Sequence, residues 1–276
     1  MSKNVIVLGM ARSGTSLTAA IFARRGYYVG AIDKSSTREG DIYNPFGYFE
    51  ADDLVERNVD VLRRAGYNFH NTWLFEPISR DSVIQIAELI PTEADRRFVE
   101  AYERNPRWIW KDPRLCFTIP YWWKLMDPEK TRVLMVHRDP EAIYWSFRCR
   151  GWCGSGRDAR EHILRRVEQH VIAAREATDS MGIPHIEVDY DDYLERPAIT
   201  ARRIGELFDL ELSPDDFNVR RDLNHGNRAT LSKLVRVWLM RIPGGTRSWL
   251  RSHAPRSLIR AVFSERKYLR KDEREV

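Results

Sequence analysis

The sequence predicts an α/β fold in which a central parallel sheet is flanked by helices and followed by a basic helical tail. Short β-rich apolar runs alternate with longer helical patterns, and a glycine-rich loop directly follows the first run, Val5–Leu8. A run that is apolar at every position is typical of a strand buried in a parallel sheet. The 276 residues suffice for one such domain and a tail, which we assign to residues 1–227 and 228–276.

The predicted elements alternate along the chain. After Val5–Leu8, the strand candidates are Tyr27–Val29, Trp108–Trp110, Val133–Val136 and Ile186–Val188. The helix candidates have apolar residues at three- and four-residue spacing, and glycines end several of them: Thr15–Arg25, Ala51–Ala65, His162–Met181 and Ile199–Phe208. Because helices separate the strands, the strands are expected to be parallel, with helices on both faces of the sheet.

The net charge of +5 is unevenly distributed. Residues 228–276 hold thirteen Lys or Arg and four Asp or Glu, a net of +9, so residues 1–227 have a net charge of −4. The basic character belongs to the tail and does not indicate a nucleic-acid partner.

Other features of the sequence bear on its compartment. Cys116, Cys149 and Cys153 form neither a disulfide framework nor a zinc site by spacing. The first residues lack the apolar region of a signal peptide, and no stretch approaches eighteen apolar residues. We therefore expect a cytoplasmic protein with reduced thiols.

The loop between the first strand and first helix carries the strongest functional signal. Gly9 and Gly14 have the spacing of the phosphate-binding pattern G-x-x-x-x-G-K-[ST], and Ser16 fills its last position. Thr15 stands where that pattern has the lysine that holds nucleoside triphosphates, and the nearest cation is Arg12. A glycine-rich loop at a helix N-terminus favours an anion, so this loop predicts a phosphate-like ligand.

The same loop resembles that of the sulfotransferase superfamily that uses 3′-phosphoadenosine-5′-phosphosulfate (PAPS). Its 5′-phosphosulfate loop reads roughly [KR]-x-G-T-[ST] between a strand and a helix, and Arg12-Ser13-Gly14-Thr15-Ser16 matches it at each position. The resemblance implies a P-loop-like fold in which the backbone of 13–16 and the hydroxyls of Thr15 and Ser16 hold the 5′-phosphate. It implies that Arg12 reaches the bridging oxygen and the sulfuryl group.

A second motif follows the strand Val133–Val136. The segment from Arg138 to Ser146 resembles the family's 3′-phosphate motif R-[ND]-P-x-[DE]-x-x-x-S, although Ala142 replaces its acidic residue. Arginine offers a planar, permanently charged fork to phosphate, and serine offers a neutral donor. The resemblance implies that Arg138 and Ser146 bind the 3′-phosphate.

Two further segments resemble the family's nucleotide site less closely. Tyr190 follows the strand Ile186–Val188 in a segment similar to the family's strand followed by Y-E-D-L, which implies that it lies beside the adenine. A tyrosine that merely ends a strand remains an alternative. The segment 225–228, His-Gly-Asn-Arg, is assigned only loosely to the 3′-phosphate.

The segment Trp108-Ile-Trp110-Lys111-Asp112-Pro113-Arg114 places charges at the end of a predicted strand, where open α/β sheets bind ligands. It resembles the K-D-P segment of some branches, including tyrosylprotein sulfotransferases and many bacterial carbohydrate enzymes. The resemblance implies that Lys111 stabilises charge on the sulfuryl and leaving oxygens, and Arg114 is a candidate for the acceptor. A surface turn capping a helix is the alternative.

The general base is the least constrained assignment. Asn44-Pro-Phe-Gly47-Tyr48-Phe49-Glu50 resembles the N-x-x-G-[YFW]-x-E signature of many bacterial relatives, so Glu50 is our first candidate. Asp112, Glu39 and His70 follow in that order, and a Glu50 that only interacts with a helix N-terminus is the alternative. Tryptophans close in sequence to these segments can stack on sugars, but we favour a core role for them.

The tail has its own pattern. Leu231, Leu234, Val235, Trp238 and Leu239 have amphipathic helical spacing among basic residues. Such a helix suits either an anionic membrane surface, giving peripheral membrane contact, or packing on the domain.

Together the motifs predict an enzyme that transfers a sulfuryl group from PAPS to an acceptor hydroxyl of a carbohydrate or glycolipid. PAPS is the expected co-substrate, without a metal, because Arg12, Lys111 and Arg138 supply positive charge. The rival interpretations are a nucleoside triphosphate-dependent kinase and a non-catalytic nucleotide-binding protein.

Overall fold

A computed structural model of the chain describes residues 2–30, 47–67 and 78–217. Within them four strands form one parallel sheet: β1 (Asn4–Leu8), β2 (Ile109–Lys111), β3 (Thr131–His137) and β4 (His185–Asp189). Their order in the sheet is β2-β1-β3-β4. Since β1 pairs with both β2 and β3, the loop that follows β1 opens between the carboxyl ends of its two neighbours.

The described helices connect and cover the strands. Their bounds are α1 (Thr15–Arg24), α2 (Asp52–Arg64), α3 (Arg80–Glu88), α4 (Glu93–Glu103), α5 (Leu115–Trp122), α6 (Pro140–Arg150), α7 (Arg157–Ser180), α8 (Asp192–Glu195) and α9 (Pro197–Phe208). Two short 3₁₀ turns lie at Trp123–Leu125 and Pro214–Phe217. The prediction of a parallel sheet flanked by helices is confirmed.

The alternation of side chains along β1 creates a core on each face of the sheet. Val5 and Val7 pack with residues of α1 and α9, whereas Ile6 and Leu8 pack with residues of α2 to α5 and α7. All five residues of β1 are buried, which explains why the strand is apolar without interruption after Asn4.

Three tryptophans pack in the core that contains Ile6 and Leu8. Trp108, Trp110 and Trp122 are fully buried, and Phe98 stacks on Trp110 with ring centroids 5.4 Å apart. The core role predicted for these three is confirmed. Trp145 and Trp152 are partly buried against a smaller cluster beneath α6 and α7.

Two predicted elements differ in extent from the structure. Tyr27–Val29 contributes only an isolated parallel bridge between Tyr28 and Trp108, because Gly30 follows with φ +102° and ends the extended conformation. Helix α7 begins at Arg157, five residues before the predicted start, because its first turn is polar and carries no apolar periodicity. Helices α3 and α4 were not predicted.

Candidate active site

The loop after β1 is shaped by residues in left-handed conformations. Gly9 (φ +150°), Arg12 (φ +73°) and Gly14 (φ +106°) all have positive φ. A Cβ on Gly9 would lie 2.7 Å from the Val136 carbonyl oxygen, so the loop passes too close to β3 for any other residue. Ser13 closes the turn, because its N–H and hydroxyl both donate to the Met10 carbonyl, at 3.1 and 2.7 Å.

Helix α1 starts from this loop with its N-terminus towards the site. Its N-cap is Gly14, which has no side-chain oxygen to accept from the first N–H groups of the helix. Thr15 is buried, and the Ser16 hydroxyl donates to the Tyr48 carbonyl at 3.4 Å. Uncapped N–H groups and hydroxyls at a helix N-terminus suit an anionic ligand.

The two motifs that lie far apart in sequence meet at Arg12. Its Nε donates to Ser146 Oγ at 2.9 Å, and its carbonyl accepts from the Arg138 guanidinium at 3.0 Å. Ser146 lies on the buried face of α6, a helix that begins with Asp139 as N-cap and Pro140 in its first turn. The predicted 5′-loop and 3′-motif therefore form one contiguous cluster.

Tyr190 completes that cluster. The Arg138 guanidinium stacks 4.4 Å from the centre of the Tyr190 ring, and a Cβ on Gly14 would lie 2.5 Å from Tyr190 Cδ2. Burial lowers the pKa of Arg138 and raises the pKa of Tyr190 from their ordinary values. Arg138 stays charged, and its charge is only weakly screened in this partly buried position.

Glu50 and Lys111 form a buried ion pair. Glu50 lies between the turn at Phe49 (φ +54°) and the start of α2, and its Oε1 accepts from Lys111 Nζ at the end of β2. Each side chain is 3% exposed. Because both charges are removed from water, each is stabilised mainly by the other, and the two side chains must stay in contact.

Asp112 has a different environment from Glu50. Its Oδ1 accepts from the Arg114 backbone N–H at 3.1 Å and the Arg114 guanidinium at 2.7 Å. Its Oδ2 accepts from Asn58 Nδ2 at 2.8 Å. All three residues are buried, and both carboxylate oxygens are used within the protein.

Asn58 is a buried polar residue that is not among the candidates predicted from the sequence. It is fully buried on α2, although the pattern there identifies only apolar positions. The signal that could have found it is its place four residues after Leu54 and three before Val61, on the apolar stripe. A polar residue at such a position must be hydrogen-bonded.

The predicted residues thus fall into three connected groups: the cluster around Arg12, the Glu50–Lys111 pair, and Asp112 with Arg114. The Ser16–Tyr48 contact joins the first group to the segment that carries Glu50. The Gly9 N–H, 3.2 Å from Cys116 Sγ, joins the loop to α5. Glu39, His70, the segment 225–228 and the whole tail lie outside the described residues.

Among residues 2–30, 47–67 and 78–217, no three His, Cys, Asp or Glu side chains are grouped as metal ligands. In the same ranges no helix is both long and apolar enough to cross a membrane.

A parallel sheet with a glycine-rich loop after its inner strand β1, contacted by Arg138 and Ser146 from the segment that follows β3, defines a P-loop-like α/β protein. Residues 4–214 match the model of the sulfotransferase family. The chain belongs to that family and is a transferase.

Two solved structures are similar to the chain. The sulfotransferase domain from the curacin biosynthetic pathway has a TM-score of 0.45 at 11% identity, covering 83% of this chain and 82% of that one. Sulfotransferase STF1 from Mycobacterium tuberculosis H37Rv has a TM-score of 0.42 at 14% identity, covering 84% and 71%. No curated protein sequence matches the chain.

Proposed function

We propose that this protein transfers a sulfuryl group from PAPS to an acceptor hydroxyl, with a carbohydrate or glycolipid as the acceptor class. The observation that carries the proposal is the convergence of Arg12, Ser146, Arg138 and Tyr190 around the N-terminus of α1. Sulfotransfer itself is the activity of the family to which residues 4–214 belong.

The residues of this cluster fit a ligand with two anionic groups and a flat ring. The uncapped N-terminus of α1 and the hydroxyls of Thr15 and Ser16 suit the 5′-phosphate. Arg138 and Ser146 suit the 3′-phosphate, because a fork-shaped cation and a hydroxyl give charge-assisted hydrogen bonds. Tyr190 offers a ring beside both for the adenine.

PAPS, when bound, supplies a sulfuryl group activated by a phosphosulfate linkage. The protein must then remove the proton of the acceptor hydroxyl and balance negative charge on the departing 5′-phosphate. We assign the proton to Glu50 and the charge balance to Lys111 and Arg12. As Glu50 takes the proton it becomes neutral, so the charge of Lys111 becomes available to the oxygens of the transferring group.

The contacts of Asp112 favour a positioning role for this residue over the role of general base. Its two oxygens already accept three hydrogen bonds from Arg114 and Asn58, and accepting a proton would sacrifice one of them. Asp112 orients Arg114, our candidate for contact with the acceptor.

The identity of the sulfuryl donor is tested by measuring nucleotide binding. Adenosine 3′,5′-bisphosphate should raise the melting temperature of the protein without Mg²⁺, whereas ATP with Mg²⁺ should not. A shift with ATP–Mg²⁺ alone would favour a kinase, in spite of Thr15 at the lysine position of the phosphate-binding pattern.

The class of the sulfuryl acceptor is tested by measuring transfer of the label. The carbohydrate or glycolipid class rests on the resemblance of the segment at 111–113 to the K-D-P segment of many bacterial carbohydrate enzymes. Incubation with ³⁵S-labelled PAPS and an extract of the source cell should put label into a glycan or lipid fraction. Label in protein would correct the acceptor class, and binding of the bisphosphate without any transfer would favour a non-catalytic protein.

A further inference from the structure

Asn58 is the centre of a buried hydrogen-bond network that joins three elements. Its Nδ2 donates to Asp112 Oδ2 at 2.8 Å, in the turn between β2 and α5. Its Oδ1 accepts from the Thr118 hydroxyl at 2.7 Å and from Trp122 Nε1 at 2.8 Å, both on α5. Asn58 itself belongs to α2 and is fully buried.

The chemistry of these partners fixes the orientation of the amide. An indole N–H can only donate, so the side of Asn58 that meets Trp122 must be the oxygen. The NH₂ group therefore meets Asp112, and it can only donate to a carboxylate oxygen. Asn58 therefore donates to Asp112 and accepts from Trp122 and Thr118.

The network also closes a ring of contacts through the proposed reaction site. Glu50 lies two residues before α2, and Asn58 lies on α2. Asn58 is hydrogen-bonded to Asp112, which directly follows Lys111 in the chain. Lys111 in turn is paired with Glu50. A movement of α2 relative to the Asp112 turn would thus separate the base from its cation.

We propose that Asn58 is a positioning residue for sulfuryl transfer: by holding Asp112 it fixes the turn that carries Lys111 and Arg114 relative to the helix that follows Glu50. This inference rests on the proposed function. The hydrogen bonds of Asn58 go to Asp112, Thr118 and Trp122, and none of these belongs to the donor cluster or the ion pair, so its effect is on the rate and on its pH dependence. The affinity for the donor should not depend on it.

A carboxyl at position 58 gives the sharpest test. In Asn58→Asp two carboxylates face each other at a separation where both cannot be ionised without strong repulsion, and at low pH one shared proton restores the hydrogen bond. Among the described residues, the charged or titratable groups that interact with Asp112 include Arg114, Cys116 of α5 and His170 of α7, and Arg166 of α7 in turn interacts with His170. Burial raises the pKa of Cys116 to about 12 and lowers that of His170 to about 3, so neither titrates near neutral pH.

The experiment measures ³⁵S transfer from PAPS to the extract acceptor between pH 6 and 8 (about the stable range of most proteins). Relative to wild type, Asn58→Asp should lose about 10–100-fold in rate at the upper end, and this deficit should shrink steadily as the pH falls. The KM for PAPS and the Kd for adenosine 3′,5′-bisphosphate should stay within about threefold of wild type.

A double variant that exchanges the residues at positions 58 and 112 keeps the proposal testable even if Asn58→Asp folds poorly. Asn58→Asp with Asp112→Asn places the carboxylate on α2, where it still accepts from Thr118 and Trp122, and the amide in the turn, where it donates back. This double variant should regain part of the rate that Asn58→Asp loses and should lose the abnormal pH dependence, because the amide oxygen at position 112 can still accept from Arg114. Thr118→Val, which removes one donor to Asn58 Oδ1 and leaves Trp122, is the control and should lower stability with little change in rate.

The outcomes separate the two proposals. A wild-type protein that binds no bisphosphate and transfers no label refutes the proposed function, and the positioning role with it. An active wild type combined with a pH-independent deficit in Asn58→Asp, or with a double variant no better than Asn58→Asp, overturns the positioning role alone.

Discussion

At the scale of single residues, Glu50 and Lys111 are defined by their shared burial. Neither side chain exposes more than 3% of its surface, so each charge relies on the other for stabilisation. Removing one partner of such a pair typically costs about 3–5 kcal/mol, because the other charge stays buried. Any test of their chemistry must therefore separate the loss of charge compensation from the loss of reactivity.

Glu50→Gln should lower turnover by about 10²–10⁴-fold while the affinity for adenosine 3′,5′-bisphosphate changes little. The amide keeps the size of the carboxylate but cannot accept a proton at neutral pH. Steady-state transfer of ³⁵S and isothermal calorimetry measure the two quantities.

The controls for Glu50 concern Lys111. Lys111→Met should also slow transfer, because it removes the cation that balances charge on the transferring group. The double variant Glu50→Gln with Lys111→Met should melt at a higher temperature than Glu50→Gln and stay inactive. Near-normal turnover in Glu50→Gln would transfer the role of base to Asp112.

Arg138→Ala tests the 3′-phosphate assignment. A charge-assisted hydrogen bond contributes about 1.5–3 kcal/mol, so the Kd for adenosine 3′,5′-bisphosphate should rise roughly 10–100-fold. Adenosine 5′-monophosphate, which lacks the 3′-phosphate, should lose much less. Arg132→Ala removes an arginine from the amino end of β3, the strand that Arg138 directly follows, and should affect neither ligand. Equal losses for the two nucleotides would remove Arg138 from the 3′-phosphate site.

At the scale of elements, the function depends on how α1 leaves the sheet. The loop from Gly9 to Gly14 reverses direction through three positive φ angles and brings its backbone against Tyr190 and β3. These approaches leave no room for a side chain at Gly9 or Gly14, so we propose that backbone N–H groups and hydroxyls meet the anion there.

Gly14→Ala should therefore weaken binding of the bisphosphate by roughly tenfold or more. Alanine is strained at φ +106°, at about 1–3 kcal/mol, and its Cβ would lie 2.5 Å from Tyr190 Cδ2. Gly154→Ala is the matched control, because its Cβ would lie 3.8 Å from the Ala159 Cβ. Calorimetric titration of both variants decides the matter: equal affinities would mean that the loop adapts and that its close contact with Tyr190 does not determine binding.

At the scale of the whole molecule, the distribution of charge and the extent of the family match place a boundary at similar positions in the chain. The sulfotransferase family matches residues 4–214, whereas the excess positive charge lies after residue 227. We propose on these grounds that residues 228–276 form a separate basic segment that contacts anionic membranes peripherally, and that the enzyme works on the cytoplasmic side.

Deletion of residues 228–276 tests this division. The shortened protein should stay folded, bind adenosine 3′,5′-bisphosphate with unchanged affinity, and lose its binding to vesicles that contain anionic lipid. Each basic residue near such a surface contributes about 1 kcal/mol, so vesicle binding of the full chain should fall steeply with added salt. Sedimentation with neutral vesicles is the control. Unfolding or aggregation of the shortened protein would show that the tail belongs to the domain.

Local patterns in the sequence determined the parallel sheet, the loop from Gly9 to Ser16 and the motif from Arg138 to Ser146, because strand burial, tight turns and helix starts depend on neighbouring residues. The family of the chain could be predicted from these alone. Only the tertiary structure decided that Arg12 meets Ser146, that Glu50 pairs with Lys111, and that Asn58 holds Asp112. These partners are 134, 61 and 54 residues apart. Their pairing depends on how helices pack on the sheet, and no periodicity of a single segment encodes that packing.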